Sequence, residues 1–174
     1  MNTSPRTGPA AGSAAHYDTQ HIVEAVRLIV GDGNVTELRA LDATVGGDRY
    51  PATYSGYFND PEKLAQAAAT IRTAKGIYIT PNPVKPALLA RANNRLRRMS
   101  KGDNSTSDHD IIARRWLLID CDASRPAGIS ASDEEHEAAI ERCRDIYAHL
   151  NSRGWPDPIA ADSGNGGHLS LIHI

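Results

Sequence analysis

The chain has 174 residues, of which 40% are hydrophobic and 23% charged, enough to build one globular domain with a core. A net charge of -2 does not by itself point to nucleic acid, and no apolar run is long enough to span a bilayer. There is no basic-then-apolar leader, so the chain reads as cytoplasmic, and its two cysteines, Cys121 and Cys143, share no metal or redox spacing and read as reduced core thiols.

Residues 1–17 are rich in Ser, Thr, Gly, Ala and Pro and are expected to be a flexible tail ahead of a domain over 18–174. Thr19 is placed to cap a helix running to Val30, with Ile22, Val23, Val26, Ile29 and Val30 on one face. Gly31-Asp32-Gly33-Asn34 breaks it. Strands are expected over 35–41 and 50–58. Tyr54, Tyr57 and Phe58 in the second could stack on bases, although packing is the ordinary use of aromatic residues in a strand. Asp60-Pro61 signals a helix start, and that helix is expected to reach Gly76. A short strand over 76–80 and a rigid proline loop over 81–86 follow.

From Pro86 a helix is expected to run to Met99, with Leu88, Leu89, Ala92, Leu96 and Met99 inward and Arg91, Arg95, Arg97 and Arg98 on its surface. Residues 100–110 read as polar and mobile. Ser132 with Glu135 three residues on matches a capping box for a helix burying Ala139, Cys143, Ile146 and Leu150. Residues 159–162 and 168 onward read as strands joined by the turn Gly164-Asn165-Gly166-Gly167. The order implies an α+β fold: a mixed β-sheet, helices packed on one face, and a closing hairpin. The chain stops in mid-strand at Leu169-Ser170-Leu171-Ile172-His173-Ile174, which reads as a truncated frame whose last residues need not be native.

Two stretches carry chemistry. Arg114-Arg115-Trp116-Leu117-Leu118-Ile119-Asp120-Cys121-Asp122 reads as a strand ending in two acids one residue apart. Alternate side chains share a face, so Asp120 and Asp122 point one way and Cys121 the other, toward Leu117 and Ile119. Two carboxylates on one face suit a hard divalent cation. A strand running out into a polar turn is the ordinary alternative. The second stretch is Asp162-Ser163-Gly164-Asn165-Gly166-Gly167-His168. Glycines let backbone amides approach an anion, Ser163 adds a hydroxyl, and His168 can donate to a phosphate oxygen. Taken alone it is also an ordinary glycine hairpin.

In this order and spacing the two stretches resemble the motifs of the archaeo-eukaryotic primase superfamily, the primase-polymerase domains of cellular, phage and plasmid replication enzymes. Leu117 to Asp122 is similar to the family's apolar strand ending in Asp-x-Asp. Ser163, Gly164, Gly166 and His168 match the Ser-Gly-x-Gly-x-His form of mobile-element members. The approach segments, Gly76 to Val84, Ala87 to Arg98 and Arg114 to Ser132, are also similar to phage and plasmid members. The resemblance implies an RRM-like primase-polymerase core and template-directed nucleotidyl transfer in DNA replication. Asp120 and Asp122 would hold Mg²⁺ or Mn²⁺, and Ser163, Gly164, Asn165, Gly166 and His168 would hold the nucleoside triphosphate, with Arg125 and Asn82 as further contacts. Arg91, Arg95 and Arg98, with Arg97, could track a single-stranded DNA template. A solvated helix face is the ordinary reading of any one of these arginines. Arg114 and Arg115 lie at the far end of the strand and read as structural or as contacts to backbone phosphate. The family's third motif, a further acid on a later strand, would lie beyond His168. A helicase domain commonly follows. The rival expectations are a non-catalytic nucleic-acid-binding or initiator module and a metal-dependent nuclease using the same acids.

Overall fold

A computed structural model describes residues 18–126 and 128–172. The expected tail over 1–17 and the question of the final two residues lie outside them. Contacts divide the chain after Ile112 into two compact units, each with its own core. Both are α+β, and every strand ladder in them is antiparallel, where the sequence suggested a mixed sheet.

The first unit opens with α1 (Thr19–Val30), capped by Asp18, whose carboxylate accepts from the amides of Gln20 and His21. The cap is therefore one residue earlier than Thr19. The helix stops at Gly31, which takes a φ of 81°. β1 (Thr36–Val45) runs past its expected end at Leu41 because Asp42, at φ 48°, bulges out and lets the strand resume at Ala43. β2 (Ala52–Phe58) pairs along it. α2 (Pro61–Ala69) begins at the expected Asp60 cap but ends well before Gly76. Ile71 is buried against Ala40, Ala43 and Tyr54, and this burial with β-branched Thr70, Ile71 and Thr73 pulls the chain into β3 (Ile71–Thr73), which pairs β1. β4 (Gly76–Ile79) also pairs β1. α1 and α2 pack through Val26, Val30, Leu64 and Ala68 onto Leu38 and Phe58, on one face of the sheet.

The expected helix over 86–99 does not form. A short 3-10 helix (Pro86–Arg91) gives way to extended chain, and β5 (Arg97–Arg98) pairs β2. The competing bonds are explicit. The amide of Tyr57 donates to the Ala92 carbonyl and that of Asn94 to the Tyr57 carbonyl, so the edge of β2 captures this stretch. Asn93-Asn94 is a poor helix pair, and Asn94 takes a positive φ of 49°. Residues 100–110 are likewise tied down. Asp103 forms a two-pronged pair with Arg97, the Thr106 amide donates to Glu37, and Ser107 and Asp110 form a capping box.

The second unit has β6 (Trp116–Asp122), α3 (Asp133–Ser152), β7 (Ile159–Asp162) and β8 (Gly166–Ile172). Its sheet order is β6-β8-β7. The strands joined through α3 thus run the same way with β8 inserted between them, a split βαβ unit. α3 starts on the expected capping box, with Ser132 and Glu135 bonding reciprocally. Its Ala139 and Cys143 are buried, and Cys143 packs with Cys121, Leu169 and Leu171, flanked by Ile119, Ile146, Leu150 and Trp155. Leu117, expected in this core, is instead 42% exposed.

Candidate active site

The alternation of β6 decides which side chains meet. Cys121 turns into the core beneath α3, so Asp120 and Asp122 stand on the opposite sheet face, both exposed. In the ladder to β8, Asp120 lies directly opposite His168, Cys121 opposite Gly167, and Asp122 opposite Gly166. Directly opposed residues share a face with Cβ atoms about 4.5–5.5 Å apart, so Asp120 and His168 are immediate neighbours and Asp122 is diagonal to His168. Gly166 has no room for a side chain, because a Cβ there would collide with the Cys121 carbonyl oxygen. The position facing Asp122 is therefore bare. Asp122 also borders a cleft of about 330 Å³ shared with Ser124, Glu135 and Arg142.

The hairpin's glycines have separate causes. Gly164 has φ 78° in the turn. Gly167 faces α3, where a Cβ would meet Ile140 at 2.9 Å and Cys143 at 3.0 Å. The hairpin's own donors are engaged within it. The Gly164 amide donates to Asp162 at 2.7 Å, the Ser163 hydroxyl to the Gly166 carbonyl at 3.0 Å, and the Asn165 amide to the Ser163 hydroxyl at 3.4 Å. The Asn165 side chain accepts from the Ala131 amide at 3.0 Å, pinning the loop before α3. A triphosphate held by Ser163, Gly164 and Asn165 would have to replace these bonds. His168 is half-buried on the acid-bearing face.

Arg125 lies in the loop after β6 and donates to the Ile129 carbonyl at 2.6 Å; its Nε is buried without a partner among the described residues. Arg91, Arg95, Arg97 and Arg98 belong to the first unit and form no common stripe, because the helix that would align them is absent. Arg97 is opposite Ser55 and Arg98 opposite Tyr54, so the two face opposite ways. Arg97 is paired with Asp103, whose carboxyl that guanidinium holds down at about 2. Arg91 reaches the Tyr57 hydroxyl and the Asn104 carbonyl, and Arg95 is exposed. Tyr54, Tyr57 and Phe58 are buried, as packing residues are.

Two groupings were not read from the sequence. His136 of α3 meets Asp162 at 2.9 Å, and this contact, with the Gly164 amide, holds the Asp162 carboxyl below its usual range. Glu37 is buried in β1 and accepts from Arg39 Nε and Nη2 at 3.1 and 2.7 Å, the Ser55 hydroxyl and the Thr106 amide. The Glu-x-Arg spacing in a strand was the available signal, since it puts both side chains on one face. Behind the acids, burial first and then the neighbouring Cys121 push the Cys143 thiol up to about 11, in keeping with an unreactive core thiol.

Among the described residues no cluster of three or more His, Cys, Asp or Glu side chains is arranged to hold a metal, and no helix is long and apolar enough to cross a membrane. No protein-family model, no curated protein and no solved structure matches the chain.

Proposed function

We propose that the acid-bearing face of the second unit is a nucleotidyl-transfer site and that the chain is a primase-polymerase domain acting on a single-stranded DNA template. The observation that carries this reading is the register that sets Asp120 opposite His168, with Asp122 one step along the same face and opposite a glycine. The split βαβ order supports it, since this is the first half of the arrangement expected of an RRM-like core.

The donor set fits a hard cation in part. Mg²⁺ keeps most of its waters and takes one or two protein carboxylates plus substrate phosphates, which Asp120 and Asp122 can provide without further ligands from this chain. A divalent ion bound there supplies charge neutralisation where the attacking and leaving oxygens develop charge. The chain's own contributions are positional. Asp120 and Asp122 would hold that cation at one end of β6, and they act on the α-phosphate only through its charge. His168 donates a hydrogen bond to a phosphate oxygen held beside Asp120. The bare position at Gly166 admits the substrate against Asp122. A primer 3′-hydroxyl attacks the α-phosphate and pyrophosphate leaves. Replication of a mobile element, and a helicase domain elsewhere in a longer protein, belong to the same proposal.

A second reading is favoured by the hairpin's internally satisfied donors: a metal-dependent phosphodiesterase in which water is the nucleophile and no triphosphate cradle is needed. Incorporation of labelled nucleotide on a primed single-stranded template with Mn²⁺ separates the two. Incorporation lost in Asp120→Ala/Asp122→Ala supports nucleotidyl transfer. Metal-dependent strand cleavage without nucleotide supports the phosphodiesterase. Neither activity, with DNA binding intact, leaves a non-catalytic binding module.

A further inference from the structure

The face of the first unit's sheet turned away from α1 and α2 carries a second feature. Glu37 is 1% exposed, and burying a carboxylate costs several kcal/mol unless donors meet it. Four do, and two of them come from Arg39, directly along the strand. The guanidinium is thereby locked by its Nε and Nη2 edge, which leaves Nη1 outside the pair with Glu37. Arg39 stands on the ridge between two open clefts, one of about 410 Å³ with Thr53, Met99, Ser100 and Ser105, the other of about 180 Å³ with Tyr78 and Thr80.

Tyr78 lies directly across from Arg39 on β4 and is 57% exposed. Its ring folds back over Gly76, occupying the space where any side chain at 76 would project. An exposed aromatic ring thus stands beside a guanidinium held by its carboxylate pair. Two acids of this face, Glu37 and Asp103, are each paired with an arginine.

We propose that Arg39 and Tyr78 form a contact site for single-stranded nucleic acid, Arg39 donating to a backbone phosphate and Tyr78 stacking on the adjoining base. Phosphate suits a guanidinium edge, and a base suits a ring with no sequence demand. The site deepens the nucleic-acid side of the proposed function but does not require turnover at Asp120 and Asp122.

The test is fluorescence anisotropy of a labelled oligothymidylate with the full chain, in EDTA and at low salt. Tyr78→Ala is expected to weaken binding about tenfold, and Tyr78→Trp to restore it. Gly76→Ala, which displaces the ring, is expected to weaken binding as well. Tyr50→Ala, a control at a tyrosine 65% exposed and stacked near Arg49, leaves binding unchanged. Arg39→Gln is expected to lower both affinity and its salt dependence; if circular dichroism shows it unfolded, the Tyr78 variants decide alone. Wild-type binding that Tyr78→Ala leaves intact, or no wild-type binding, overturns the proposal. Tyr78-dependent binding without nucleotide incorporation rejects the turnover reading and keeps this site. Incorporation with binding indifferent to Tyr78 does the reverse.

Discussion

Glycine at 166, 167 and 164 answers three different demands, and the three should fail differently. At 167 a methyl group presses on Ile140 and Cys143 in the core, and overpacking of this kind costs about 1–3 kcal/mol. At 164 nothing lies within 4 Å, and alanine meets only the strain of φ 78°, about 1 kcal/mol. At 166 the obstacle is backbone, the Cys121 carbonyl, so β6 and β8 must move apart beside Asp122. Urea denaturation is expected to rank Gly164→Ala as milder than Gly167→Ala. Gly166→Ala is expected to reduce nucleotide incorporation beyond its effect on stability; incorporation that follows stability alone would contradict this. Glu37 gives a pH prediction. Burial raises its pKa, but hydrogen bonds from Arg39, Ser55 and Thr106 together outweigh burial and bring it below 4.5. A carboxyl lowered on folding contributes stability that is complete above its unfolded value and is lost as pH falls through the folded one. Acid below 4.5 should therefore destabilise the wild type more than Glu37→Gln, read as the change in urea midpoint with pH.

At the scale of elements, α3 offers the clearest energetic test. Its Ser132 side chain satisfies the Glu135 amide, and loss of such a cap costs about 1 kcal/mol. Both tryptophans, Trp116 and Trp155, lie in the second unit, so tryptophan emission reports its unfolding. Ser132→Ala should lower that midpoint, and an unchanged midpoint would show the cap to be idle. This helix was legible because cap, periodicity and burial agree along it. So was β6, whose alternation put Asp120 and Asp122 on one face. Residues 86–99 were misread for a physical reason: their apolar spacing suits a helix, but the exposed edge of β2 offers the backbone partners that the sequence does not display. α2 was read too long because nothing local shows that Ile71 has a buried seat against β1. The order of the Asp120 strand and the His168 hairpin is legible in the sequence, whereas the register that sets Asp120 opposite His168 depends on where the hairpin turns, which spacing alone does not set.

At the scale of the whole molecule, the chain divides its chemistry. The second unit carries the acids, His168 and the hairpin; the first carries Arg39, Tyr78 and the dispersed arginines. Mn²⁺ binding, followed by the loss of its free electron-paramagnetic-resonance signal, tests the central claim most directly, because it needs no turnover. Wild-type protein is expected to take up Mn²⁺, and a nucleoside triphosphate to tighten that uptake. His168→Ala should keep the metal and lose the tightening, and Asp120→Ala/Asp122→Ala should lose both. Equal Mn²⁺ uptake by the double variant and the wild type would contradict the assignment of Asp120 and Asp122 as the metal seat.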